Sequence, residues 1–138
     1  MKKLLFMLNL VFLVACGNSA NESNLTIKDA WSRPVVLSTG SVYLTIENSG
    51  GEDTLIGVNS DIAETAMLHE TQIQNGVANM VHRPAIKIPA YGKFVFDPGK
   101  FHIMLTNMKR ELKVGETYNL TLKFKSGKEI ITVVAVRQ

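Results

Sequence analysis

The sequence predicts an all-β domain, an antiparallel β-sandwich running from Leu25 to Gln138. Three observations predict it. Short runs rich in β-branched and aromatic residues recur along the chain, several of them alternating apolar with polar. Turn residues separate them at Asn48-Ser49-Gly50-Gly51, Asn75-Gly76, Asp97-Pro98-Gly99 and Ser126-Gly127. Beyond residue 24 no stretch sustains a 3.6-residue apolar period, so strands carry the core.

The first residues stand apart from that domain. Met1-Lys2-Lys3 is a short positive start, and Leu4 to Ala15 is apolar except for Asn9. Such a run is too short to span a bilayer and has the layout of a secretory signal. It ends Leu13-Val14-Ala15-Cys16, which resembles the lipobox of bacterial lipoproteins, where the cysteine is acylated and becomes the first mature residue. The only cysteine in the chain falls at that position. Residues 1–15 are therefore expected to be a lipoprotein signal peptide, with lipidation at Cys16. Residues 16–24 form the lipidated cysteine and a flexible tether, small and polar with nothing to bury. The expected location is extracytoplasmic, lipid-anchored to a bacterial membrane, on the periplasmic side if the envelope has two.

The strands follow in order. Leu25-Thr26-Ile27 and Val42 to Ile46 alternate, then come Thr54 to Val58, Ala66 to Thr71 and Val77 to His82. Ile86 to Ile88, Lys93 to Phe96 and Phe101 to Thr106 continue the series. A hairpin closes it, Thr117 to Lys125 with Glu129 to Val136. Ser60 to Thr65 reads as a possible helical turn. Trp31 and Tyr43 are expected as core aromatics.

Charge and cysteine content exclude more than they suggest. Loss of Lys2 and Lys3 lowers the formal charge from +3 to +1, which leaves no basic surplus for nucleic acid. With Cys16 committed to lipid there is no disulfide, and the core must hold the fold unaided.

The side chains that carry chemistry are histidines and methionines. After the signal segment the chain holds His69, His82 and His102, and Met67, Met80, Met104 and Met108. Residues two apart on a strand share a face, so His102 and Met104 project together. Asn75-Gly76 favours a two-residue type I′ hairpin. In that register His69 faces His82 and Thr71 faces Met80, and His69, Met80 and His82 project from one face, about 5 Å apart when directly opposite. A one-residue slip would separate them.

Imidazole with thioether points to a soft ion. Thioether sulfur prefers Cu(I), while imidazole suits several metals. Calcium and magnesium need carboxylate clusters, a structural zinc site normally needs thiolates, and a blue-copper site needs a cysteine thiolate. None of these is present in this region.

Those residues resemble a known family. His69, ten residues, Met80, twenty-one residues, then His102-Ile103-Met104 is similar to the H-x10-M-x21-H-x-M signature of the periplasmic copper chaperones called PCuAC. The likeness extends to Trp31-Ser32-Arg33-Pro34, Leu68-His69-Glu70-Thr71, Ile88-Pro89-Ala90 and Pro98 to Leu105, and runs from about Ala30 to the C-terminus. The resemblance implies a cupredoxin-like β-sandwich holding one exposed Cu(I) ion on His69, Met80, His102 and Met104. It also implies delivery of copper to an acceptor protein, such as a cytochrome c oxidase subunit or its assembly factor. His82 and Met67 lie outside the signature: His82 is expected as a solvated strand residue and Met67 as a core residue, though either could face the site. Met108 is expected at a loop or rim.

The expectation is thus a monomeric copper carrier and not an enzyme, since no general acid–base pair accompanies the ligands. The alternatives are a lipoprotein sandwich that only binds another protein, and a copper scavenger without a delivery role.

Overall fold

The computed structural model describes residues 21–36 and 38–138. The expected signal peptide and Cys16 lie outside the described residues. Ten strands form the fold: β1 Leu25–Ser32, β2 Thr39–Asn48, β3 Asp53–Ser60, β4 Ala63–Gln74, β5 Val77–His82, β6 Ile86–Ile88, β7 Gly92–Phe96, β8 Phe101–Met108, β9 Thr117–Phe124 and β10 Glu129–Val136. No helix occurs among the described residues.

The hydrogen-bonded path runs β5-β4-β8-β2-β1-β10-β9-β3-β6, with β7 also on β2. Neighbours are antiparallel except β1 and β10, which pair in parallel at Trp31 with Ala135 and Ser32 with Val136. The path folds over on itself, and β3 packs against β4 without pairing to it. Between the layers lies one apolar core. Val42, Leu44 and Ile46 of β2, Ile103 and Leu105 of β8, Leu55 of β3, and Leu120 and Leu122 of β9 are all essentially inaccessible. Burying each such side chain contributes roughly 1.5–3 kcal/mol of gross hydrophobic stabilisation.

Several local expectations are corrected. The stretch around Ser60 to Thr65 is no helix: β3 runs through Ser60, a turn follows at Asp61-Ile62, and β4 begins at Ala63. Burial of Ile62 and Ala63 pulls the turn onto the core, where the Ile62 carbonyl accepts from Lys109 N at 2.9 Å. Met108 belongs to the core, as the last residue of β8. Tyr43 is buried but packs outside the main core cluster, against half-buried Trp31, with ring centroids 4.8 Å apart. The reason is strand alternation: Val42 and Leu44 take the inward positions, which turns Tyr43 the other way.

Asn21 to Asn24, the end of the expected tether, lies on the domain. Glu22 O accepts from Gly51 N and Asn24 O accepts from Ser49 N, each at 3.0 Å. A Cβ at Gly50 would stand 2.1 Å from Glu22 O, and one at Gly51 1.8 Å from Asn21 O, so only glycine admits this approach. Buried Ser23 donates its hydroxyl to Asp53 Oδ2 at 2.6 Å, and Ser126 Oγ donates to the same oxygen at 2.6 Å.

β7 and β8 lie end to end along β2, one on Leu44–Asn48 and the other on Thr39–Val42. The loop Asp97-Pro98-Gly99-Lys100 separates them, and Gly99 takes a φ of 80°. Its last carbonyl, Lys100 O, accepts from Thr71 N of β4 at 2.9 Å. That loop sets where β8 begins.

Candidate metal centre

Core alternation decides which side chains reach the outer face. On β8, Ile103 and Leu105 are sealed in the core, so His102 and Met104 point the other way. On β4, Leu68 takes the inward position and sends Met67 and His69 outward. The two strands pair with Met67 opposite Met104 and His69 opposite His102.

The turn supplies the third strand. Asn75 and Gly76 both have positive φ, 52° and 77°, as a type I′ turn requires. The register is the expected one, His69 opposite His82 and Thr71 opposite Met80. Three rows result on one face of β5-β4-β8. The middle row is His82, His69, His102; Met67 and Met104 lie to one side, Thr71 and Met80 to the other. The sequence-predicted residues therefore share a face, and Met67 joins them there. Its expected place in the core belongs to Leu68, because neighbours on a strand cannot both face inward.

The row is packed unevenly. His69 and His102 are 9% and 4% exposed, Met67 and Met104 are half-buried, and Met80 is 64% exposed on the edge strand. The His69 ring stands edge-on to both neighbours, 5.8 Å from His102 and 5.9 Å from His82 between centroids. Burial lowers the His69 pKa below the ordinary 6.5, and the imidazoles of His102 and His82 add to that repulsion of the cation. That shift favours the neutral ring, which has a lone pair to offer.

The nitrogens tell the same story. His102 Nδ1 lies 3.4 Å from the Lys100 carbonyl, a long hydrogen bond in which the ring must be the donor. That tautomer leaves Nε2 as the acceptor, and Nε2 is buried with no partner among the described residues. His69 Nδ1 is buried and likewise has no partner among the described residues. Each such orphan costs about 1–3 kcal/mol unless something satisfies it. A cation would. Among the described residues no trio of histidine, cysteine, aspartate and glutamate is placed to hold a metal; the further soft donors on this face are the thioethers of Met67, Met80 and Met104.

An ion pair clamps the end of β5. Arg83 donates through Nε at 2.8 Å and through Nη2 to Glu70 Oε2, which also accepts from Gln72 Nε2 at 3.1 Å. These bonds, Arg83 foremost, hold the Glu70 carboxyl below its ordinary pKa. Arg83 N also donates to Leu68 O at 2.8 Å, so the chain leaving His82 is tied back onto β4. Nothing local in the sequence announces this clamp, because Glu70 and Arg83 meet only when the hairpin closes.

Comparison with known proteins agrees with this architecture. A family model described as "Putative lipoprotein LpqE-like" matches residues 25–136. "Putative lipoprotein Lxx21020" of Leifsonia xyli subsp. xyli is 29% identical over 113 residues, covering 80% of this chain and 68% of that protein. The copper-bound PCuAC domain from PmoF2 superposes with a TM-score of 0.69 over 84% of this chain and 97% of that one; at 23% identity this is a likeness of fold. The solution structure of CuI-DR1885 from Deinococcus radiodurans gives a TM-score of 0.64 at 29% identity, over 88% of this chain and 83% of that one. The sandwich anticipated from the sequence is the fold of these PCuAC domains.

Proposed function

This chain belongs to the LpqE-like family, and from that premise we propose that it is a lipid-anchored, extracytoplasmic carrier of one Cu(I) ion. His69, Met80, His102 and Met104 are its ligands and Cys16 is its lipid attachment. One observation carries the reading: two buried imidazole nitrogens without partners among the described residues stand on the face that also bears the methionines. The copper-bound state of related structures supports it.

The donor chemistry suits the cargo. Cu(I) is soft and accepts thioether sulfur readily, and two neutral imidazoles complete a set that leaves its +1 charge unchanged. Neither thioether needs deprotonation and neither forms a disulfide, which suits an oxidising compartment.

Carrying also requires release. Met80 sits exposed on the edge strand, so an incoming ligand meets it before it meets the buried histidines. Release then proceeds by stepwise exchange: an acceptor ligand displaces Met80 while His69 and His102 still hold the ion. The acceptor is a copper protein, of which a cytochrome c oxidase subunit or its assembly factor is the example the resemblance suggests. No enzymatic role is assigned.

The deciding experiment is anaerobic Cu(I) titration against a colorimetric chelator, with X-ray absorption on the loaded protein. Two nitrogen and two sulfur neighbours are expected, and His102→Ala and Met104→Ala should each weaken binding at least about tenfold. Parent-like affinity in both variants would reject the site. Transfer to a soluble oxidase copper domain then separates delivery from scavenging.

A further inference from the structure

Resting on that reading, we propose that Met67 is a fifth donor, which takes over as the second sulfur ligand when Met80 leaves the ion. Cu(I) would then occupy two interchangeable sets, an outer one containing Met80 and an inner one drawn wholly from β4 and β8.

The register makes the inner set the more compact of the two. Met67 is directly opposite Met104, and His69 directly opposite His102. The four stand at the corners of a rectangle, about 5 Å across the strands and about 6.7 Å along them. Met80 lies on the third strand, and its row is the one beyond the histidines from Met104. To share an ion with Met104 it must reach diagonally across the histidine row. Methionine has three rotatable bonds and can make either reach, but Met67 has the shorter one.

Packing in the main core does not account for Met67. It lies outside the buried core, and Leu68 already fills the inward position beside it. At its half-buried outward position Met67 borders a cleft shared with Ile56, Val58 and His82 instead of filling the core between the layers. Its exposure also contrasts with that of Met80, which is 64% exposed where a partner arrives first.

The exchange balances without help. One Cu–S bond to Met80 breaks as one Cu–S bond to Met67 forms; both ligands are neutral, no proton moves and copper stays Cu(I). The ion keeps four donors while its outer sulfur is given up. Met67 thereby lets the acceptor draw Met80 away without leaving the ion underligated.

The test uses the lipid-free chain from residue 21 onward alongside the full protein, each loaded anaerobically with Cu(I). X-ray absorption and chelator competition are read for Met80→Leu, Met67→Leu and the double variant, all conservative in volume. Methionine methyl NMR follows which sulfur is engaged. Met80→Leu should keep two sulfur neighbours, lose no more than about tenfold in affinity, and shift the Met67 methyl on loading. The double variant should fall to one sulfur and lose far more than the two single effects combined, the mark of ligands that substitute for each other. A single sulfur in Met80→Leu, with no added loss on removing Met67, overturns the fifth-donor assignment while leaving the carrier reading standing. Failure of the parent to bind Cu(I) through sulfur overturns both.

Discussion

His69 and His102 stand directly opposite one another on β4 and β8, ring centroids 5.8 Å apart and planes at 76°, each with a buried nitrogen that bonds to nothing among the described residues. The apo fold therefore carries a cost at this pair. Two imidazoles are withdrawn from water, and a bound cation would compensate both.

That cost predicts a trade between stability and binding. His102→Leu removes one orphaned nitrogen and fills similar space, so the apo protein should be as stable as the parent or gain about 1 kcal/mol. For a domain of this size that corresponds to a rise of a few degrees in Tm. The rise in Tm that Cu(I) gives the parent should vanish in the variant. Calorimetry with and without Cu(I) reads both; a variant destabilised without metal yet still stabilised by it contradicts the assignment.

The pH dependence follows from His69. Its folded-state pKa lies below the ordinary 6.5, so protons bind the unfolded chain more readily than the native one. The stabilising contribution is present in full above 6.5 and is lost as pH falls from there through the lower folded value. Apo Tm should decline between pH 7 and pH 5, and His69→Gln should flatten part of that decline. Cu(I) affinity should hold steady above about pH 6.5 and weaken below it, as protons compete for the ligands. An affinity unchanged from pH 8 to pH 5 would argue against imidazole ligation.

Gly76 controls the third strand. Its φ of 77° is strained for any side chain bearing a Cβ. Gly76→Val should destabilise the protein by about 1–2 kcal/mol and loosen the register that sets Met80 opposite Thr71. Copper affinity should drop while the His69 and His102 contacts persist. Nitrogen counts from X-ray absorption that fall together with the sulfur count would show that the turn supports more than the Met80 arm.

Asp53 predicts where the domain begins. Burial pushes its carboxyl up, but hydrogen bonds from Ser126 and Ser23 and from the backbone of Thr54 and Ser126 outweigh that and hold it below the ordinary 3.8. Stability from this group is present above 3.8 and lost as pH falls through the lower folded value. Asp53→Asn should cost about 2 kcal/mol near neutral pH and speed amide exchange at Gly51 and Ser126. Exchange unchanged at both amides would mean that the 21–24 segment is held without it.

Much of this arrangement was legible in the residues themselves. Asn75-Gly76 identified the hairpin, and with it the facing of His69 on His82 and of Thr71 on Met80. The side-chain period of two showed that His102 and Met104 share a face, whereas Met67, expected in the core, joined His69 on that face only in the folded structure. Those are local relations, decided by turn chemistry and by a side-chain period of two. Which strand lies beside β4 is not local. β8 follows it some thirty residues later, and its pairing depends on burying Leu68, Ile103 and Leu105 in a common core. Only that pairing brings Met67 opposite Met104 and leaves the His69 and His102 nitrogens without partners among the described residues. The amino-acid order determined the candidate donors, the strands and one hairpin; the tertiary structure decided which of those side chains share a face, because long-range strand pairing is selected by the burial of whole faces at once.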